Sequence, residues 1–160
     1  MDTNNLKKSA QAVQDVLNQF GLDLVVKEFP ESTRTAQQAA DAIGCTVGQI
    51  AKSLIFKGKN SGKPLFIIAS GKNRVNEKRI AEFCGEPIEK ADAEFVLAHT
   101  GFAIGGIPPV GHTTTMIPLI DQDLMSYDII WAAAGTPHAV FKILPSNLIK
   151  ITNGKIVSII

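Results

Sequence analysis

Cysteine is scarce in this chain: Cys45 and Cys84 are its two thiols. They form no close pair of the kind that binds zinc or runs redox chemistry, and no disulfide framework follows from them, so both read as ordinary buried thiols. Long apolar runs are missing as well, and none could span a bilayer. The start, Met1-Asp2-Thr3-Asn4-Asn5, is polar and lacks the pattern of a secretory leader, so a soluble, cytoplasmic protein is expected. Neither sign of charge dominates: the net charge of +1 argues against an indiscriminate polyanion binder. Repeats, low-complexity tracts and linkers are absent too. With 45% hydrophobic residues, residues 1–160 read as one domain with a single core.

Several catalytic templates are excluded in the same way. Gly48-Gln49-Ile50-Ala51-Lys52-Ser53 ends in the Lys-Ser pair of a phosphate-binding loop but lacks the glycine before the lysine, and its preceding residues look helical. There is no Gly-x-Ser-x-Gly elbow, and Ser70 in Ala69-Ser70-Gly71 has no identifiable base partner. His99, His112 and His138 are scattered, without the spacing of a metal site. A metal site would therefore have to be assembled wholly by the fold, and none is expected.

What the chain does contain is uneven. From Lys52 to Arg79 it carries Lys52, Lys57, Lys59, Lys63, Lys72, Arg74, Lys78 and Arg79 against the single acid Glu77. Folded onto one face, these cations would make a footprint for phosphates; spread over surface hairpins, they would be ordinary solvated residues.

Helix and strand signals follow one another irregularly. Ala10 to Phe20 has helical apolar spacing with Gly21 as a stop, and Leu24 to Phe29 reads as a strand ended by Pro30. Thr35 is placed to cap a helix over Ala36 to Ile43 closed by Gly44, and Thr46 to cap a turn toward Ile50. Ser53 to Phe56 and Leu65 to Ala69, separated by Gly58, Asn60, Ser61 and Gly62, predict a hairpin. Asn76 can cap a helix through Phe83, and Ala91 to His99 predicts another with Gly101 as its stop. Strands are expected at Thr115 to Ile120, Asp128 to Ala133, Val140 to Ile143 and Lys155 to Ile160, with a helical turn near Pro145 to Leu148. This order suits an α+β domain with a mixed, curved or barrel-like sheet surrounded by helices, not a doubly wound parallel one.

One segment stands out, Gly101-Phe102-Ala103-Ile104-Gly105-Gly106-Ile107-Pro108-Pro109-Val110-Gly111-His112. Its paired glycines permit positive φ and close approach to a ligand, while Pro108 and Pro109 fix two φ angles and remove two N–H donors. It is either a tight turn between strands or a shaped backbone loop that presents amides to a small polar substrate. Lys52 at the start of an apolar strand and the turn Gly135-Thr136-Pro137-His138 are the other features that could carry chemistry.

Taken together these residues resemble a known family. Thr33-Arg34-Thr35-Ala36 with Ala39-Ala40, then Ile43-Gly44, then Ile50-Ala51-Lys52-Ser53-Leu54-Ile55-Phe56 resembles the opening signature of the YbaK/ProX family of aminoacyl-tRNA editing domains. Gly105-Gly106-Ile107-Pro108-Pro109-Val110-Gly111-His112 is similar to that family's glycine-proline loop, at a similar distance downstream. The likeness runs from about Val26 to the C-terminus. It implies an editing domain related to the insertion domain of prolyl-tRNA synthetases. The implied reaction is hydrolysis, in trans, of the ester joining a wrongly attached small amino acid (alanine, serine, threonine or cysteine) to the 3′ adenosine of a tRNA, with no cofactor and no covalent acyl-enzyme.

The resemblance also implies roles. Lys52 matches the family's key lysine, and Gly105 the loop glycine whose backbone stands at the reacting ester. Gly106 and Pro108 hold that loop in shape and count with Ile107 among the substrate-binding residues, Thr33 and Arg34 fall at the substrate-binding pocket rim, and His138 lies in a turn where the family places a further pocket residue. The implied partners are the acceptor end of a mischarged tRNA and, as a further candidate, an aminoacyl-tRNA synthetase. Two other functions stay open at this stage: a tRNA-binding or regulatory module without deacylase activity, and a small-molecule hydrolase or amino-acid-binding protein that uses the same pocket without tRNA.

Overall fold

A computed structural model describes residues 6–160; the polar start Met1 to Asn5 lies outside the described residues. Eight strands form one mixed sheet: β1 (Val26–Glu28), β2 (Ile50–Gly58), β3 (Pro64–Ser70), β4 (Ile88–Lys90), β5 (Leu119–Asp121), β6 (Ile130–Ala133), β7 (Ala139–Ile143) and β8 (Lys155–Val157). Five α-helices among the described residues accompany them: α1 (Lys8–Asn18), α2 (Ala36–Ile43), α3 (Glu77–Cys84), α4 (Ala93–Thr100) and α5 (Pro145–Thr152). The order across the sheet is β1-β7-β6-β2-β3-β5-β8, with β4 pairing β2 off that path. This is the α+β architecture with a mixed sheet that the sequence predicts.

The caps explain why the helices begin and end where they do. Thr35 accepts a hydrogen bond from the Gln38 amide in a capping box, and Asn76 and Asp92 cap α3 and α4 through the amides of Arg79 and Phe95. Each such cap contributes about 1 kcal/mol, enough to set a helix start. Departures from the sequence reading have local causes. β5 begins at Leu119, not Thr115, because Pro118 cannot donate to a ladder. α5 continues to Thr152 and is ended by Asn153 at φ +57°, a left-handed position that asparagine tolerates. β4, which has no periodic signal of its own, exists through its antiparallel register against Phe56–Gly58 of β2.

β2 organises the molecule. Its alternation sends Ala51 and Ile55 into the main core with Val13 and Leu17 of α1, Phe66 and Phe141. Phe56 turns to a second cluster with Ile67 and Ile80 of α3, while Ile50 packs with Ala39 and Ala40 of α2. One edge of β2 is paired along its length with β3. The other edge is shared: β6 runs parallel at Ile50 and Ala51, and β4 runs antiparallel at Phe56 to Gly58. Lys52, Ser53 and Leu54 lie between these two pairings with no strand on that edge, so the sheet opens there. No helix among the described residues is long and apolar enough to cross a membrane.

Candidate active site

The opening in the sheet is where the candidate residues meet. A cleft of about 290 Å³ is lined by Lys52 and Ser53 of β2, Thr33 and Arg34 of the segment before α2, and Ile104, Gly105 and Ile107 of the glycine-proline loop. A second cleft of about 420 Å³ adjoins it, and Lys52, Ser53, Leu54, Ile104 and Ile107 line both. Arg74, Glu77 and Lys90 bring charge to the second cleft.

Lys52 is the charged group at the junction of the two clefts. Burial pushes its ammonium pKa below the ordinary lysine value; the positive charge of Arg74 adds to that, and Asp121 opposes it. Asp121 is itself buried and accepts hydrogen bonds from the Ser70 amide at 2.9 Å, the Asn73 side chain at 2.8 Å and the Asp123 amide at 2.9 Å. It thereby pins the turn after β3 that carries Lys72 and Arg74. The other cations of the basic segment are dispersed: Lys57 lies 5.2 Å from the Phe95 ring centre and Lys72 lies 5.8 Å from that of Tyr127.

Gly105 has φ +100°, and a Cβ there would stand 2.5 Å from Arg34 Cγ and 3.1 Å from its Cδ and Nε. The guanidinium stem therefore lies across the bare face of Gly105, and both residues wall the first cleft. Gly106 is close-packed for another reason: a Cβ would meet the backbone of Thr136 at 2.9 Å. Its carbonyl accepts from the Gly135 amide at 2.8 Å. Pro108 is buried, and its carbonyl meets His112 Nε2 at 2.6 Å; burial pushes the His112 pKa down, against that hydrogen bond. Since a carbonyl only accepts, the ring proton sits on Nε2.

Of the residues singled out from the sequence, Lys52, Gly105, Thr33, Arg34 and Ile107 come together around the first cleft. Gly106 and Pro108 stand behind it. His138 is exposed and lies in a different surface depression with Lys7, Lys8 and Glu28. Its Nδ1 meets Glu31 O at 2.9 Å, and its turn also takes hydrogen bonds from Phe29 N at His138 O and from Thr33 N at Pro137 O. The turn thus clamps the segment that delivers Thr33 and Arg34. Sequence reasoning missed Ser53 and Trp131, which line the first cleft, and Arg74, which lines the second. Ser53 had a signal, since a second polar residue beside Lys52 interrupts an apolar strand; Arg74 had only its place in the basic segment, and Trp131 had none.

In this mixed α+β fold the lysine-bearing strand, the Thr33–Arg34 segment and the glycine-proline loop thus wall one small cleft at the opening of the sheet. A family model for the aminoacyl-tRNA editing domain matches residues 30–151, and the chain belongs to that family. A crystal structure described provisionally as a trans-editing enzyme for prolyl tRNA synthetase superposes with a TM-score of 0.90 at 43% identity, over 96% of this chain and 98% of that one. The uncharacterized protein YwhH of Bacillus subtilis is 28% identical over 148 residues, 92% of this chain and 94% of its own. EbsC of Enterococcus faecalis, provisionally named a Cys-tRNA(Pro)/Cys-tRNA(Cys) deacylase, is 25% identical over 132 residues, covering 82% of this chain and 80% of its own.

Proposed function

We propose that this protein is an aminoacyl-tRNA deacylase acting in trans, which hydrolyses the ester between a small, wrongly attached amino acid and the 3′-terminal ribose of a tRNA. The observation that carries this reading is the position of Lys52 at the junction of two clefts, one of which Gly105 also lines, in a chain of the editing-domain family. An aminoacyl ester also has two halves. The aminoacyl group fits the smaller, mostly apolar cleft, and the terminal nucleotide the larger one, where Arg74 and Lys90 can meet its phosphate. The scissile ester then lies over the residues the clefts share.

In the reaction a water oxygen attacks the ester carbonyl, and the carbonyl oxygen takes up negative charge. The bond to the ribose oxygen then breaks. One of the water's protons ends on that oxygen and the other passes to solvent as the amino acid leaves as its carboxylate, so water is the only co-reactant. The half-buried Lys52 ammonium acts on the developing oxyanion more strongly than a solvated lysine could, because less water screens it. The loop at Gly105 gives the carbonyl a fixed backbone wall, with the Arg34 stem lying across the glycine's bare face. A relative provisionally named for Cys-tRNA substrates supports cysteine as a candidate acyl group beside alanine, serine and threonine.

A deacylation screen over a panel of mischarged tRNAs tests the reading. At least one ester should be cleaved, and Lys52→Ala should lower kcat/KM on it by about 100-fold, the loss of roughly 2.7 kcal/mol of transition-state stabilisation. Survival of every ester, with tRNA still bound, would leave a binding module in place of an enzyme. Parental rates in Lys52→Ala would remove the proposed mechanism.

A further inference from the structure

Two hydroxyls at the first cleft have no hydrogen-bond partner. Thr33 Oγ1 and Ser53 Oγ are the buried side-chain atoms left unpaired among the described residues, and both residues line the cleft beside Lys52 and Gly105. Buried hydroxyls are nearly always paired, because they give up water on folding and must regain a partner. Two orphans on one cleft mark a place where the partner comes from outside the chain.

Neither residue is free to move away and find one. The Thr33 amide donates to Pro137 O at 2.6 Å, which fixes its backbone against the 135–138 turn, and Thr33 is only 4% exposed. Ser53 is held in β2 opposite Ile68 of β3. The neighbouring Thr35 hydroxyl is already committed to the Gln38 amide. Elsewhere the wall is made of side chains such as Ala36, Ile50, Ile107 and Val140, which offer no polar atom. Trp131 adds an indole N–H, a donor only, so Thr33 and Ser53 are the cleft's uncommitted hydroxyls, able both to donate and to accept.

We propose that Thr33 and Ser53 read the side chain of the amino acid, and that the acyl group this cleft takes carries a β-hydroxyl or β-thiol, as in serine or cysteine, and not the bare methyl of alanine. The proposal rests on the deacylase reading above. A β-hydroxyl both donates and accepts, so one group can satisfy two protein hydroxyls. Alanine would leave both unpaired. Sites built to hydrogen-bond a substrate group reject the analogue that lacks it far more strongly than an apolar pocket rejects an added group.

The experiment compares seryl, cysteinyl and alanyl esters on one tRNA, with the parent protein, Thr33→Val and Ser53→Ala. The seryl or cysteinyl ester should be cleaved at least about tenfold faster in kcat/KM than the alanyl ester, and each variant should narrow that ratio by about tenfold. The order of serine and cysteine separates hydroxyl from thiol recognition. A purely structural role for either residue would lower all three rates together and keep the ratio. An alanyl ester cleaved as fast as the other two, or a ratio retained in both folded variants, would overturn the proposal while leaving a deacylase. The parent ratio alone decides the matter should a variant not fold. If no ester is cleaved, the deacylase reading fails and this proposal fails with it.

Discussion

Twice in this chain a glycine at positive φ is followed by proline and then by a histidine whose ring nitrogen meets a backbone carbonyl. In the 101–112 loop these are Gly105 at φ +100°, Pro108 and His112, with His112 Nε2 on Pro108 O at 2.6 Å. In the 135–138 turn they are Gly135 at φ +95°, Pro137 and His138, with His138 Nδ1 on Glu31 O at 2.9 Å. The loop folds back on itself, its half-buried histidine against the Phe66 ring at 4.8 Å, and leaves Gly105 on the wall of the cleft. The turn reaches outward and uses its carbonyls on Phe29 and Thr33. Similar residues therefore build a wall of the site in one place and a buttress for its rim in the other. What separates them is which neighbour stands over the bare glycine.

That neighbour can be tested by giving each glycine a methyl group. The largest effect is expected from Gly105→Ala. The new Cβ meets the flexible stem of Arg34 at 2.5 Å, which can swing away, so the fold should survive with a loss of about 1 kcal/mol from the positive φ. The reacting ester should lose its wall, and kcat/KM on the preferred ester should fall by about 100-fold, or about 2.7 kcal/mol. Parental kcat/KM in a folded Gly105→Ala protein would show that the loop is no wall of the site.

Gly135→Ala should behave in the opposite way. Its Cβ would stand 2.7 Å from Ser9 O and 3.0 Å from Ser9 C, which is helix backbone that cannot rotate aside. A loss of about 2 kcal/mol of stability is expected, read as a lowered midpoint in urea, with kcat/KM of the remaining folded protein close to parental. An unchanged midpoint would show that the turn does not buttress α1.

The smallest effect separates the loop by pH. The His112 pKa is pushed below its ordinary 6.5, first by burial, and the Pro108 hydrogen bond only partly opposes this. The unfolded chain therefore binds the proton more readily than the fold does. Stability should be full above pH 6.5, fall as pH drops from 6.5 toward the lowered value, and level off below it. Melting temperature against pH in the parent and in His112→Gln reads this directly. The variant should lose that slope, and a slope of equal size in both would clear His112.

Much of this was legible in the residues. Thr35 with Gly44, and Asn76 and Gly101 with their helices, carry start and stop signals that act within a few residues, and the structure places caps and left-handed ends at those positions. Lys52 and Gly105 were legible as site candidates because charge in an apolar strand and glycine beside proline are unusual locally. β4 was not legible, since three residues without alternation become a strand only when β2 lies beside them. His138 looked like a pocket residue from its turn, and the fold sets that turn behind the rim. Ser53 and Thr33 as an unpaired set were not legible either, because being unpaired is a property of everything around a hydroxyl.

By itself, then, the sequence determined what depends on near neighbours: the helix ends, the hairpin, the special backbone of the 101–112 loop, and the motifs that the editing-domain family shares. Only the tertiary structure decided that β6 and β4 leave β2 uncovered at Lys52, Ser53 and Leu54, and that the loop and the Thr33–Arg34 segment converge on that opening. Capping and turn energies are settled within one stretch of chain. The shape of a cleft depends on which distant strands find room along one edge, and on which polar atoms are left without a partner once they have done so.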